Sequence, residues 1–281
     1  MLNKSIKSPV NIPVSKIHPF EGNPYKVLDN DEMNILIGSI QEQGILTPII
    51  IRPIENTDEY EVISGHRRLH AIVKAGMKEV PAFIYAINRD EAAIMLVDSN
   101  LHREHILPSE KAFAYKLKLE AMKHQGITCG QVGHKSRDEI SDTDSGRQIQ
   151  RYIRLTYLIP ELLDLVDEEK IALTPAVELS YLTDEEQYAL LGSIEVEDRT
   201  PSLSQAVRFK KLSQTGNLSD DDIETIMQED KANQKPMFKV SMEKLQEIAP
   251  RVKDKDFEDF VLKACEHYYR YLLRQRDRDS R

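Results

Sequence analysis

Hydrophobic positions recur along the chain in two rhythms, and the point where one of them stops divides it. In the first hundred residues the rhythms alternate. Val10, Ile12 and Val14 stand at every second position over 10–17 and predict a strand; Met33, Leu36, Ile37 and Ile40 recur at helical spacing and predict a helix over 32–43. Asp29 with Glu32 three residues on reads as the capping pair of that helix, and Gly44 as its stop. The runs 48–53 and 60–63 predict two strands joined by a polar turn at 55–58. A helix over 65–75 closed by Gly76, a strand over 80–87, and a helix capped by Asn88 and Glu91 and running to about Asn100 complete the segment. Past Leu107-Pro108 only the helical period remains, with helices expected from Ser109 to Gly126 and over 136–142, 146–156, 160–167, 175–181, 184–191 and 202–212. The expected fold class is α+β: a small mixed α/β domain at 1–107, an all-α domain at 108–213, and a linker and helical C-terminal segment at 214–281. In that last segment a helix over about 254–276 carries Phe257, Phe260, Val261, Ala264 and Tyr268 on one face, a stripe for dimerisation or for packing on its own chain.

Composition narrows the class. The 281 residues are 40% hydrophobic and 30% charged with a mean hydropathy of -0.48, ordinary for a globular protein of two or three domains. No apolar run reaches bilayer length and residues 1–9 lack a signal-peptide core, so a cytoplasmic protein without a membrane partner is expected. Cys129 and Cys265, the only cysteines, have no CxxC spacing, which argues against a disulfide framework and a thiolate zinc site. The net charge of -9 conceals an asymmetry. Residues 111–154 hold nine Lys or Arg against five Asp or Glu, whereas 161–230 hold five against eighteen. A basic middle followed by an acidic stretch is compatible with a DNA-binding module whose neighbour faces elsewhere.

Two constellations carry chemistry. Ile63-Ser64-Gly65-His66-Arg67-Arg68-Leu69 joins a predicted strand to a predicted helix, and it sets Arg67 and Arg68 where the helix dipole is already positive. A phosphate at that terminus resolves the conflict, with Gly65 allowing close backbone approach and the guanidiniums supplying charge-assisted bonds. The second constellation is Ser136-Arg137-Asp138-Glu139-Ile140, a polar turn through Ser145-Gly146, and then Arg147-Gln148-Ile149-Gln150-Arg151-Tyr152-Ile153-Arg154. Helical spacing turns Ile149, Tyr152, Ile153 and Thr156 inward and leaves Arg147, Gln148, Gln150, Arg151 and Arg154 outward, as a major-groove recognition helix requires. With Lys135 and Ser145 these are the candidate DNA contacts. The interval from Ile140 to Ile149 is short for a helix-turn-helix. His66 and His70 at i, i+4 and His102 and His105 at i, i+3 have zinc-like spacing, without an acidic or thiolate third ligand nearby.

The order of Gly44-Ile45-Leu46-Thr47-Pro48, then Gly65-His66-Arg67-Arg68-Leu69-His70-Ala71, then Ser99-Asn100-Leu101-His102-Arg103-Glu104 and a helix-turn-helix resembles the ParB/RepB family of partition proteins over roughly residues 10–191. The resemblance implies a ParB-like N-terminal domain that binds CTP with magnesium, and a homodimer that closes as a clamp on double-stranded DNA. Gly44, Ile45, Leu46, Thr47 and Pro48 would border the cytosine and ribose, and Gly65, His66, Arg67 and Arg68 would hold the phosphates. Asn100, with Arg103 and Glu104, would complete the phosphate and metal shell, Asn100 as the magnesium ligand. A ParA-like ATPase partner is also implied. The family often has acidic residues where this chain has His66 and Ser99, and their loss weakens magnesium binding and water positioning, so at most slow CTP hydrolysis is expected. A regulator that kept the fold without nucleotide switching is the alternative. The same fold resembles sulfiredoxins, whose chemistry needs a cysteine that Ser64-Gly65-His66 lacks, and some kinases and nucleases; only Glu104 is an obvious carboxylate for a nuclease.

Overall fold

The computed structural model describes residues 8–103, 105–125, 141, 144–229 and, further on, 246, 248–249, 252 and 257–279. Its contacts divide the chain into two units, Met1–Glu229 and Asp230–Arg281.

The first unit begins with a five-stranded mixed sheet of β1 (Val10–Pro13), β2 (Ile17–His18), β3 (Ile49–Pro53), β4 (Tyr60–Ser64) and β5 (Glu79–Ile84), in the order β1-β5-β3-β4-β2. The β1/β5 and β3/β4 pairs are antiparallel, and β5/β3 and β4/β2 are parallel. The strand expected over 10–17 is broken by a 3-10 turn at Val14–Lys16. Pro13 ends the first ladder because it has no N–H to donate, and Ile17 then joins the opposite edge beside Tyr60. Between β3 and β4 the buried Arg52 and Glu61 face each other and bond through Nη2 and Oε2 at 2.8 Å, which pins the register.

Helices cover both faces of the sheet, so the central strands read as apolar runs. Ile49, Ile51 and Val62 pack with Met33 and Ile40 of α1 (Asp31–Gln43) and Leu69 and Ile72 of α2 (His66–Lys74). Ile50 and Ile63 point the other way, onto Ala93, Leu96 and Val97 of α3 (Arg89–Asp98) and Ala114 and Ala121 of α4 (Pro108–His124). Helix α1 is capped by Asn30, whose Oδ1 accepts from Met33 N–H, and not by Asp29. Asp29 lies instead against His70 and Lys74 of α2, at 2.7 Å from each. The Asn88–Glu91 capping box of α3 forms as expected.

Helix α4 joins the sheet to an all-α layer. Tyr115 and Met122 pack on Ile149 and Ile153 of α5 (Gly146–Leu155), and Ala112 enters a larger core. That core is built from α6 (Pro160–Asp167), α7 (Leu173–Leu179), α8 (Asp184–Glu197), α9 (Leu203–Gln214) and α10 (Asp220–Gln228). Asp167 at the end of α6 accepts from both the N–H and the hydroxyl of Ser109, which ties the layer to the start of α4. Ile223, Ile226 and Met227 of α10 are buried in the same core, so the first unit runs to Glu229, past the boundary that composition places at 213. The short run of polar residues before Asp220 is the turn between α9 and α10, capped by Ser219. In the second unit, α11 (Phe257–Asp279) buries Phe257 and exposes Leu262, Tyr268, Tyr269 and Tyr271. Among the described residues no helix is long and apolar enough to cross a membrane.

Candidate functional site

Strand β4 delivers the chain to Gly65, and the turn there builds the principal cleft. Gly65 has φ +105°, a left-handed conformation that L side chains rarely adopt, and a Cβ added there would lie 2.8 Å from Ile49 Cγ2. Helix α2 starts at this turn without a side-chain cap, so its first-turn N–H groups have neither an intrahelical partner nor a capping side chain. The opening beside it is a cleft of 570 Å³ lined by residues of α1 (Glu32, Ile35, Leu36, Ser39), of the turn (Ser64, Gly65, His66, Arg67, Arg68) and of the segment after α3 (Ser99, Asn100, Arg103).

The basic groups are held in different ways. Arg68 Nη1 donates to the carbonyl oxygens of Thr47 and Pro48 at 2.5 and 2.7 Å, and its Nη2 lies 3.1 Å from where a Cβ at Gly65 would stand. Arg67 reaches across to Glu32 at 2.9 Å in a solvent-exposed pair, and Arg103 lies over the Tyr25 ring. Burial pushes the His66 imidazole down to about 4, with the Arg103 charge adding to the effect. Its Nε2 accepts from the Phe20 N–H at 3.3 Å, so neutral His66 carries its proton on Nδ1. Asn100 is buried, and its Nδ2 donates to Leu96 O at 2.7 Å and to Ser99 Oγ at 3.2 Å, leaving Oδ1 as its uncommitted polar atom. A turn of unsatisfied N–H groups surrounded by three guanidiniums is suited to a polyanion.

The structure brings Gly65, His66, Arg67, Arg68, Asn100 and Arg103 to one cleft. Gly44, Ile45, Leu46, Thr47 and Pro48 lie beside it, joined through the Arg68 bonds to Thr47 and Pro48; Leu46 is exposed and Ile45 packs on the sheet core. Glu104 lies outside the described residues. Glu32, Ile35, Leu36 and Ser39 are site residues that the sequence motifs do not include. Their spacing of three, four and seven puts them on one face of α1, which is the signal that could have found them. For a metal the donors are poor: Glu32 is the one carboxylate of the cleft lining and is paired with Arg67, and Asn100 offers one neutral oxygen. Among the described residues no group of three or more His, Cys, Asp or Glu side chains converges, and His66 and His70 face different partners, Phe20 and Asp29. A separate groove of 310 Å³ between α8 and α10 is lined by Glu197, Asp220 and Glu224 without a basic side chain, the wrong sign for an anion.

The candidate nucleic-acid surface is α5. Ser145 caps it, its hydroxyl accepting from Gln148 N–H. Ile149, Ile153 and Leu155 are buried, and Arg147 and Gln150 are exposed. Two arginines expected outward are held within the fold. Arg151 donates to Gln148 Oε1 and Thr174 Oγ1. Arg154 donates through Nε to Ser180 Oγ at 3.0 Å and through Nη2 to Ser180 O at 2.7 Å, and stacks near the Tyr157 and Tyr181 rings. The last turn of α5 meets the end of α7, and Arg154 fills that contact. Thr156 is only half-buried. Lys135 and nearly all of the helix expected over 136–142 lie outside the described residues, so the structure does not describe the first half of the expected helix-turn-helix.

Residues 2–101 match the ParB N-terminal domain model. Over 171 residues the chain is 32% identical to the "Chromosome-partitioning protein Spo0J" of Thermus thermophilus, spanning 61% of this chain and 59% of that protein. Over 142 residues it is 30% identical to the "Nucleoid occlusion protein" of Listeria monocytogenes, spanning 50% and 49%. The chain therefore aligns with half to three fifths of the length of these relatives. Among solved structures, the C-terminally truncated ParB of Caulobacter crescentus complexed to the centromeric parS site is 20% identical over 78% of this chain and 98% of that one, with a TM-score of 0.42.

Proposed function

We propose that the chain, whose residues 2–101 match the ParB N-terminal domain, is a ParB-like, sequence-specific DNA-binding partition protein whose N-terminal cleft binds CTP. The observation that carries the reading is the left-handed Gly65 turn at the uncapped start of α2, with Arg67, Arg68 and Arg103 around it. In this reading the triphosphate sits on the α2 N-terminus between the guanidiniums. Ile35, which is exposed, and Leu36 wall one side of the cleft, and residues 44–48 take the nucleoside end. Arg68 couples the two, because the same side chain anchors the carbonyls of Thr47 and Pro48 and reaches the phosphate turn. The protein acts as a homodimer, with nucleotide changing how two N-terminal domains meet, and with Arg147 and Gln150 of α5 reading the DNA site. Closure as a DNA clamp and a ParA-like ATPase partner belong to the same proposal. Ser99 and His66 provide no carboxylate to position a water, so hydrolysis is slow.

Calorimetry tests the first half: CTP binds the parent, and Arg68→Ala weakens it by at least about tenfold, or 1.4 kcal/mol. Equal heats in both contradict a nucleotide at this turn. Footprinting on inverted repeats tests the second half, where absence of protection at moderate salt removes the DNA claim. A DNA-binding regulator without nucleotide switching is favoured by one observation, the hydroxyl and imidazole at Ser99 and His66. Crosslinking between N-terminal domains separates the two: an increase with CTP and site DNA supports the clamp, and no change supports the regulator.

A further inference from the structure

The sign and supply of charge in the α2 cleft bear on how a triphosphate would be neutralised there, a question that rests on the cleft being a nucleotide site. A magnesium ion in a nucleotide site bridges phosphate oxygens and is held from the protein side by one or two carboxylates. Among the described residues that line this cleft, the one carboxylate is Glu32, and Arg67 already occupies it at 2.9 Å. Among the described residues, the other polar positions beside the phosphate turn carry a hydroxyl (Ser64 and Ser99), an imidazole (His66) and the amide oxygen of Asn100. These are weak ligands for a hard cation that gives up its water reluctantly.

The supply of protein donors is correspondingly large. Arg67, Arg68 and Arg103 line one opening, and α2 adds the unsatisfied N–H groups of its first turn. His66 contributes in a defined tautomer. The Phe20 N–H points at its Nε2, so Nδ1 is the donor. A carboxylate at this position would repel phosphate oxygens unless a cation stood between them, whereas an imidazole N–H meets them directly. Arg67 also has an exchange available: a phosphate can replace Glu32, a partner that is mostly exposed and weakly held.

We propose that nucleotide binding by this chain is independent of divalent metal: Arg67, Arg68 and Arg103 neutralise the phosphates in place of magnesium, and the Nδ1–H of His66 adds a neutral hydrogen-bond donor. CTP titrated into the full chain by calorimetry, once with magnesium and once with EDTA, tests this. The expected result is a dissociation constant that differs by less than about fivefold between the two buffers, under 1 kcal/mol on the tenfold-per-1.4 scale. A larger loss in EDTA overturns the proposal and restores a bridging cation. Absence of binding in both buffers overturns the nucleotide reading itself, and this inference with it. Ser99→Glu, which adds a carboxylate to the cleft lining at the residue before Asn100, is expected to make binding magnesium-dependent by at least about tenfold. An unchanged ratio in that variant contradicts the proposed role of the donors.

Discussion

The cleft at the start of α2 and the outer surface of α5 are both built from arginine, yet they treat it in opposite ways. Arg68 commits one terminal nitrogen to two carbonyl oxygens and keeps another beside the Gly65 turn; Arg67 is tied to a single exposed carboxylate. On α5, Arg154 commits Nε and Nη2 to Ser180 and stacks near two tyrosine rings. A guanidinium has five N–H donors in a fixed fork. Arg68 and Arg154 each commit two of these to the fold, and what differs is where the rest of the group lies. Arg68 Nη2 stands beside the open Gly65 turn, whereas the Arg154 guanidinium is packed against the Tyr157 and Tyr181 rings and holds helices together. Arg147, exposed at the other end of α5, is the residue that departs from this pattern.

The largest effect is expected at the turn that shapes the cleft. Gly65→Ala forces an L residue into a left-handed conformation and drives a methyl to 2.8 Å from Ile49 Cγ2. A loss of about 2–4 kcal/mol in urea unfolding is expected, together with loss of CTP binding. Next comes Arg154→Ala, expected to cost about 1–3 kcal/mol through the lost charge-assisted bonds and ring contacts. DNA affinity measured where the variant is fully folded should stay near the parent's; a large specific loss there would mean that Arg154 leaves Ser180 to bind DNA.

His66 separates the two regions through pH. Its folded-state value of about 4 lies below the ordinary 6.5, so between those values the unfolded chain binds the extra proton and stability rises with pH. His66→Gln is expected to remove that slope, gaining about 1–2 kcal/mol relative to the parent near pH 5 and little near pH 8. Parallel stability curves for the two proteins would place the imidazole in water. The smallest effect on folding is expected for Arg147→Ala, within about 0.5 kcal/mol of the parent in stability, while its DNA affinity falls by about 1–3 kcal/mol.

Much of the sheet is legible in the sequence because strands and helices there differ in period and carry strong stops. Hydrophobic period alone gives no weight to Pro13 as a strand breaker, so it predicts a single strand where the chain crosses from one sheet edge to the other. The motif residues Gly65 to Arg68, Asn100 and Arg103 can be read as one site, whereas the spacing of Glu32, Ile35, Leu36 and Ser39 shows only that they share a face of α1, not that this face meets the site. Local spacing gives Glu32 a capping job, and a long-range partner such as Arg67 leaves no trace in it. The same limit explains Arg154. Helical spacing gives the direction a side chain leaves its helix, not whether Ser180 of another helix waits there. Likewise the polar residues around 214–219 have the composition of a linker, and the burial of Ile223, Ile226 and Met227 makes them a turn inside a core.

If a nucleotide's phosphates occupy the Gly65 turn, the backbone amides there must register it. Hydrogen exchange of the full chain with and without CTP reads them directly. Slowed exchange of the amides at 65–69 is expected, with smaller protection at 99–103 and around 44–48, and no direct change in α5. Unchanged exchange at 65–69 under saturating CTP, or protection confined to α5, would contradict a phosphate site at this turn.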